Sequence, residues 1–435
     1  MFFKIKILKY WLIILLSPKH KSRAALEAFQ AKRMNSFARK TLIKSPFYQP
    51  YFTNKIINWN AVPFITKTEF MDSFNEINTT GVKLDEAMQV ALKAEHSRDF
   101  TSKINEITVG LSTGTSGKRG LFLVSEDERA HWAALVMKRV IKPKLFKKQK
   151  VAFFLRANSN LYSSVASSLF EFKYFDIFNP INMLLDELNL FQPHVLAAQP
   201  SVLIDIAEAQ LKQTIHIEPF KIISFAEVLH QNDKENIETI FRIKITEVYQ
   251  CTEGFLGVSC AKGTMHLNED FIHFGKDWVD ENKFHPIVTD FSRHCQPVVK
   301  YKMNDLLQIK MSACECGSKH LAIEKIIGRD DDVLIINHIK VYPDLVTRKI
   351  AMHTDSFQKY TITQMSSNEL QIEIDCPEKK WIDTKNIFES VLNNLFNELG
   401  IKDVEYQFYN KPIHSPGNKI RKIKRLNYEN KHTCD

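Results

Sequence analysis

The stretch GLSTGTSGKRG, Gly110 to Gly120, holds four of the chain's thirteen glycines within eleven residues. Glycines let consecutive backbone N–H groups turn toward one ligand without Cβ interference. Ser112, Thr113, Thr115 and Ser116 supply hydroxyl donors around Gly114 and Gly117, and Lys118 and Arg119 supply positive charge. That set suits a polyphosphate, and the string reads as a nucleotide loop; standing alone it also reads as a solvated Gly/Ser turn. A Walker loop requires Gly, four residues, then Gly-Lys-Ser/Thr. Here Ser112 stands in place of the first glycine and Arg119 in place of the metal-binding hydroxyl.

Working outward, 435 residues predict two domains, and 44% hydrophobic with 25% charged residues is an ordinary globular balance. The net charge of +9 is spread along the chain with no aromatic-interleaved basic stripe, so no nucleic acid partner is expected; a polyanionic cosubstrate accounts for the excess. Seven scattered cysteines do not form a secreted disulfide framework, which points to a reducing, cytoplasmic setting. The N-terminal MFFKIKILKYWLIILLSPKHK is too short in its apolar run to span a bilayer. It reads as an amphipathic helix packed on its own domain, with peripheral membrane contact as the second reading.

Downstream of the loop, VAFFLRA near Val151, VLAAQP near Val195 and KIISFAE near Lys221 are short apolar runs typical of buried strands. Helical patterns begin beside Ser125 and Ser201, and the alternation predicts a layered α/β domain with a largely parallel sheet. In ITEVYQCTEGFLG an apolar run leads into Thr252 and Glu253, where a strand's end meets a ligand crevice. Glu253 suits Mg²⁺ and Thr252 a phosphate oxygen, although such a tetrapeptide is also common on a solvated surface. Near the C-terminus two alternating strands, an amphipathic helix and a further strand predict a small α+β domain. Cys260, His266, Cys314 and Cys316 offer soft ligands that a tetrahedral Zn²⁺ accepts, and a pair of buried cysteines is the other reading.

The string STGTSGKRG resembles the phosphate loop of the adenylate-forming superfamily of acyl- and aryl-CoA ligases and peptide-synthetase adenylation domains. Four further segments, in order, are similar to motifs of that superfamily. Tyr249-Gln-Cys-Thr-Glu253 resembles Tyr-Gly-x-Thr/Ser-Glu, with Gln250 in place of glycine. KYKMNDL resembles Arg-Tyr-Arg-x-x-Asp-Leu, with Lys300 and Lys302 in place of both arginines. GRDDD resembles the Gly-Arg-x-Asp-Asp hinge, and SPGNK the terminal Gly-Lys segment. SCAKGTMHLNEDF, CECGSKH and SFAEVL point toward the phenylacetate-CoA ligase branch and its relatives that include the synthetase adenylating a deazaflavin coenzyme.

The resemblance implies a large layered N-terminal adenylation domain, residues 1–328, and a mobile lid, residues 329–435. It further implies that ATP and a small-molecule carboxylate form an acyl-adenylate and pyrophosphate, after which coenzyme A or the phosphopantetheine of an acyl or peptidyl carrier protein accepts the acyl group. In this reading Ser112 to Lys118 and Tyr249 bind the nucleotide with Asp305 on its ribose and Arg329 beside it. Glu253 holds Mg²⁺, Thr252 assists, Glu227 faces the acid, Asp331 is the pivot and Lys419 the catalytic lysine. A structural zinc on Cys260, His266, Cys314 and Cys316 is part of the same expectation. Adenylyl transfer to an acceptor without a thioester, and a non-catalytic binding protein on this fold, are the alternatives.

Overall fold

The computed structural model describes residues 2–17, 20–97, 103–111, 120–142, 148–155, 170–329, 332–354, 357, 359–413 and 421–426. Two compact units emerge. The first comprises Met1–Ala226, Ile237–Met303 and Leu307–Lys325, and the second Glu227–Asn236, Asn304–Leu306 and Ile326–Asp435.

The first unit opens with α1 (Phe2–Leu15) and α2 (Arg23–Lys40), the latter capped by Ser22, whose hydroxyl accepts the Ala25 N–H. A three-stranded antiparallel sheet, β1 (Lys103–Ile104), β2 (Ile107–Leu111) and β3 (Leu121–Val124), follows. Helix α3 (Glu126–Val136) begins with a reciprocal Ser125–Glu128 capping box, as the hydroxyl and carboxylate three residues apart dictate.

Among the described residues the main sheet has twelve strands, one of them the two-residue Tyr301–Lys302 paired at its side, and two contrasting halves. In the first, β4 (Gln149–Leu155), β5 (Phe170–Asp176), β6 (Val195–Ala198), β7 (Lys221–Phe225) and β8 (Thr246–Cys251) lie in the order β5-β4-β6-β7-β8, all parallel. Helices α4 (Ile181–Phe191), α5 (Pro200–Leu211) and α6 (Gln231–Phe241) are the connections between them, because parallel neighbours need a crossover. Val195 to Ala198 are wholly buried, the continuous apolar pattern of a strand covered on both faces.

In the second half the predicted parallel pattern stops. β9 (Gly254–Ser259) returns antiparallel to β8 after two residues, and β10 (Met265–Leu267) returns antiparallel to β9. The sheet continues through β11 (Ile272–Trp278), β12 (Lys283–Asp290), β13 (Asp305–Ile309) and β14 (Ala322–Arg329). Turns and connections, the longest 291–304 and 310–321, replace helices here, so the expectation of a largely parallel sheet holds only for the strands up to Cys251.

In the second unit β15 (Leu334–Ile336) and β16 (Ile339–Val341) form a hairpin, followed by α7 (Pro343–Ala351). A four-stranded sheet, in order β19-β18-β17-β20, is built from β17 (Lys359–Gln364), β18 (Glu369–Asp375), β19 (Glu405–Asn410) and β20 (Ile423–Arg425). Helix α8 (Trp381–Glu398) buries Phe388, Val391, Leu392, Leu395 and Phe396, a 3–4 spacing that covers one face of the sheet. Each such side chain contributes about 2 kcal/mol by leaving water. The strands and helix expected for the C-terminal region are all present.

Candidate adenylation site

The glycine-rich stretch is the connection between β2 and β3, which pair antiparallel up to Leu111 and Leu121. At its base Gly110 faces Phe122, and a Cβ at Gly110 would fall 2.1 Å from the ring, so any other residue there would displace it. Ser112, Thr113, Gly114, Thr115, Ser116, Gly117 and Lys118 themselves lie outside the described residues, as do Asp331 and Lys419.

What holds the base of that connection was missed by the sequence reading. Gln296, fully buried, accepts the Leu123 N–H on Oε1 at 3.0 Å and donates Nε2 to the Leu121 carbonyl at 3.4 Å. A side-chain amide thereby substitutes for a neighbouring strand along β3. Glu128, buried at the start of α3, fixes the same segment by accepting the His294 and Cys295 N–H groups at 2.6 and 3.0 Å.

Thr252 and Glu253 are the two turn residues between β8 and β9, both partly exposed, with Cys251 paired to Gly254 and a bulge at Tyr249–Gln250. Tyr249 is buried in the strand. Behind the turn a Cβ on Gly254 would sit 2.8 Å from the Asp290 carboxylate. Asp290 accepts the Ser292 N–H at 2.8 Å and hydroxyl at 2.6 Å, and complete burial pushes its carboxyl up to about 6 against those bonds. The segment from Asp290 to Gln296 thus touches both the turn that carries Glu253 and the base of the glycine-rich connection.

In the second unit Asp305 is buried and pairs with Arg329, whose Nε lies 3.5 Å from Oδ1. The residues expected at the ribose and beside the nucleotide are therefore brought together. Gly328 adopts φ +141°, which other residues rarely adopt, and a Cβ there would sit 3.1 Å from the Asp332 carboxylate. Asp332 accepts the Arg329 N–H on Oδ2 at 2.8 Å and Arg421 Nε on Oδ1 at 2.6 Å. Asp332 is the last aspartate of the Gly-Arg-x-Asp-Asp resemblance, but its tie to the Arg329 N–H and to Arg421 was not foreseen from the sequence. Glu227, half-buried, follows Ala226, which holds φ +71° where the resembling motif has glycine.

The soft ligands converge as expected. Ligand atoms of Cys260, His266, Cys314 and Cys316 all lie within 4.8 Å of one another. Cys260 Sγ is 3.8 Å from Cys314 Sγ, and Cys316 Sγ is 3.3 Å from His266 Nε2. His266 Nδ1 is 3.1 Å from the His320 carbonyl, which fixes Nδ1 as the N–H donor and leaves the Nε2 lone pair facing the thiols. Burial opposes ionisation of Cys314, but hydrogen bonds from the Thr264 hydroxyl and the Cys316 backbone outweigh it and bring the thiol down to about 6. Three sulfurs and one imidazole nitrogen at this separation fit a tetrahedral zinc ion.

No protein-family profile matches the chain. It is 26% identical to a phenylacetate-coenzyme A ligase of Thermus thermophilus over 209 residues, 43% of this chain and 46% of that protein. A phenylacetate-coenzyme A ligase of Pseudomonas putida is 24% identical over 207 residues, 42% of this chain and 46% of that protein. The matched stretch thus spans about half the length of these curated relatives. Among solved structures, 2-hydroxyisobutyryl-CoA ligase in complex with an acyl-AMP superposes with a TM-score of 0.70 at 15% identity, covering 93% of this chain and 90% of that one. ATP-bound MatB from Rhodopseudomonas palustris gives 0.54 at 14% identity, over 73% and 67%. The fold is that of the adenylate-forming ligases.

Proposed function

We propose that this chain activates a carboxylic acid with ATP and transfers the acyl group to a thiol. The observation that carries the reading is the Asp290–Gln296 segment, which supports the glycine-rich connection and the Thr252–Glu253 turn from one backbone stretch.

The substrate carboxylate oxygen attacks the α-phosphorus of ATP, the bond to the α–β bridging oxygen breaks, and pyrophosphate leaves. Ser112 to Lys118 hold the β- and γ-phosphates, Thr252 bonds a phosphate oxygen, and Tyr249 lines the nucleotide. Asp305 accepts the ribose hydroxyls with Arg329 beside it, and Glu227 faces the acid. Lys419 stabilises charge developing between carboxylate and α-phosphate. Mg²⁺, when bound at Glu253, neutralises the phosphate charge. The second unit then turns about Asp331, and the thiolate of coenzyme A, or of a carrier protein's phosphopantetheine, attacks the acyl carbonyl and displaces AMP.

Cys260, His266, Cys314 and Cys316 would hold a structural zinc ion, their four side chains supplying a full tetrahedral set with no ligand position left for substrate. Elemental analysis of purified protein is expected to give about one zinc per chain, and Cys314→Ser to lower metal content and melting temperature together. Metal-free, fully stable protein would remove the zinc assignment. For the reaction, the test is ATP–pyrophosphate exchange against aromatic, fatty and amino acids. Exchange dependent on one acid class, with AMP as the nucleotide product, is expected. Release of ADP and phosphate in its place would refute the mechanism.

A further inference from the structure

Helix α1 has two apolar faces. The inner one packs on α3: Ile7 and Ile14 are buried, Lys6 lies 3.0 Å from both Glu126 and Asp127, and the Tyr10 hydroxyl donates to Asp127 at 3.1 Å. The outer one presents Ile5, Leu8, Leu12, Ile13, Leu15 and Leu16, each between 43 and 80% exposed. Scattered surface apolar side chains need no explanation, but these four leucines and two isoleucines line one side of the helix and the residue after it, and at that spacing form a patch.

We propose that this face seats the protein on an anionic phospholipid surface, with α1 lying in the plane of the headgroups. Charge decides the occupant. Lys4 and Lys9 are exposed on the same face, Lys21 follows just beyond the helix, and α1 contains no acidic residue. A second copy of this face would bring the same lysines and no carboxylate to meet them, burying unpaired charge. Anionic headgroups meet those lysines while the apolar side chains enter the acyl boundary, with the lysine stems reaching back to the surface. At fourteen residues α1 is about 21 Å long, too short to cross a hydrocarbon core of about 30 Å. Among the described residues no helix is long and apolar enough to span a membrane. The inference is independent of the adenylation reading, since it uses none of those residues.

The experiment is co-sedimentation of the full chain with phosphatidylcholine vesicles, with and without about 30 mol% phosphatidylglycerol. Binding to the anionic vesicles, weakened by salt, is expected. Leu8→Glu with Leu12→Glu should weaken it at least about tenfold. Ile5→Ser with Ile13→Ser, which adds no charge, should weaken it at unchanged melting temperature. Wild-type protein left in the supernatant, or variants that bind like the parent, would overturn the proposal. So would a concentration-dependent dimer dispersed by the same substitutions, which would assign the face to a second copy.

Discussion

Two carboxylates sit just past the ends of strands in the two units, and their surroundings differ in kind. Glu253 is on a two-residue turn whose rigidity is supplied from behind, by Asp290 against Gly254. Asp332 has both oxygens occupied by its own chain, one by the Arg329 N–H and one by Arg421. The first carboxylate belongs to a partly exposed residue on a supported turn; the second is a structural tie. Position after a strand does not tell ligand from tie. The neighbours of the oxygens do.

The largest expected effect sharpens the contrast from the side of chemistry. Lys419 lies two residues before the tied Arg421 in the sequence and is the residue proposed above for catalysis. Lys419→Ala should lower adenylate formation by 10²-fold or more, about 3 kcal/mol of transition-state stabilisation, with ATP binding retained. Undiminished pyrophosphate exchange with the cognate acid would sink the assignment.

Next comes the carboxylate on the turn. Glu253→Gln should raise the Mg²⁺ requirement on the order of tenfold and leave the melting temperature unchanged, because an amide is a poorer ligand for a hard cation. A variant that titrates with Mg²⁺ like its parent would place Glu253 among the ties. Asp332→Asn should behave in the opposite way. Losing the charged partner of Arg421 is expected to destabilise the second unit by about 1–3 kcal/mol, with no change in Mg²⁺ dependence. A magnesium phenotype without a stability loss would break the comparison.

The smallest effect concerns Ala226. Its φ of +71° is a region that costs a non-glycine residue about 1–2 kcal/mol, so Ala226→Gly should raise stability by up to about 1 kcal/mol after the added unfolded-state entropy is subtracted. A lower melting temperature would mean that the Ala226 methyl makes contacts worth more than the strain.

The sequence made some of this arrangement readable and hid the rest for identifiable reasons. The parallel strands were legible because burial on both faces forces continuous apolar runs such as Val195 to Ala198. The antiparallel half was not, since the hairpin at Thr252–Glu253 carries no glycine–asparagine turn signal and its residues read equally as ligands. Cys260, His266, Cys314 and Cys316 were recognisable by residue type, whereas the His320 carbonyl that orients His266 is backbone and has no residue signature. Gln296 acts through a side-chain amide that imitates a strand, which no local pattern announces. The outer face of α1 was obscured because the helix is apolar nearly all round, so spacing alone could not say which side the protein covers.

Strand β20 has a consequence for the order in which the molecule is assembled. It pairs parallel to β17, with Thr363 opposite Lys424, a contact across about sixty residues that pays its loop-closure entropy late. Until then that edge of β17 offers unpaired backbone groups to any passing strand. The connection leading into β20 is the one that contains Lys419. By that separation the pairing is expected to be among the last formed in the second unit, and in the sequence Lys419 belongs to the segment that this pairing closes, so turnover regained on refolding is expected to lag behind the recovery of helix.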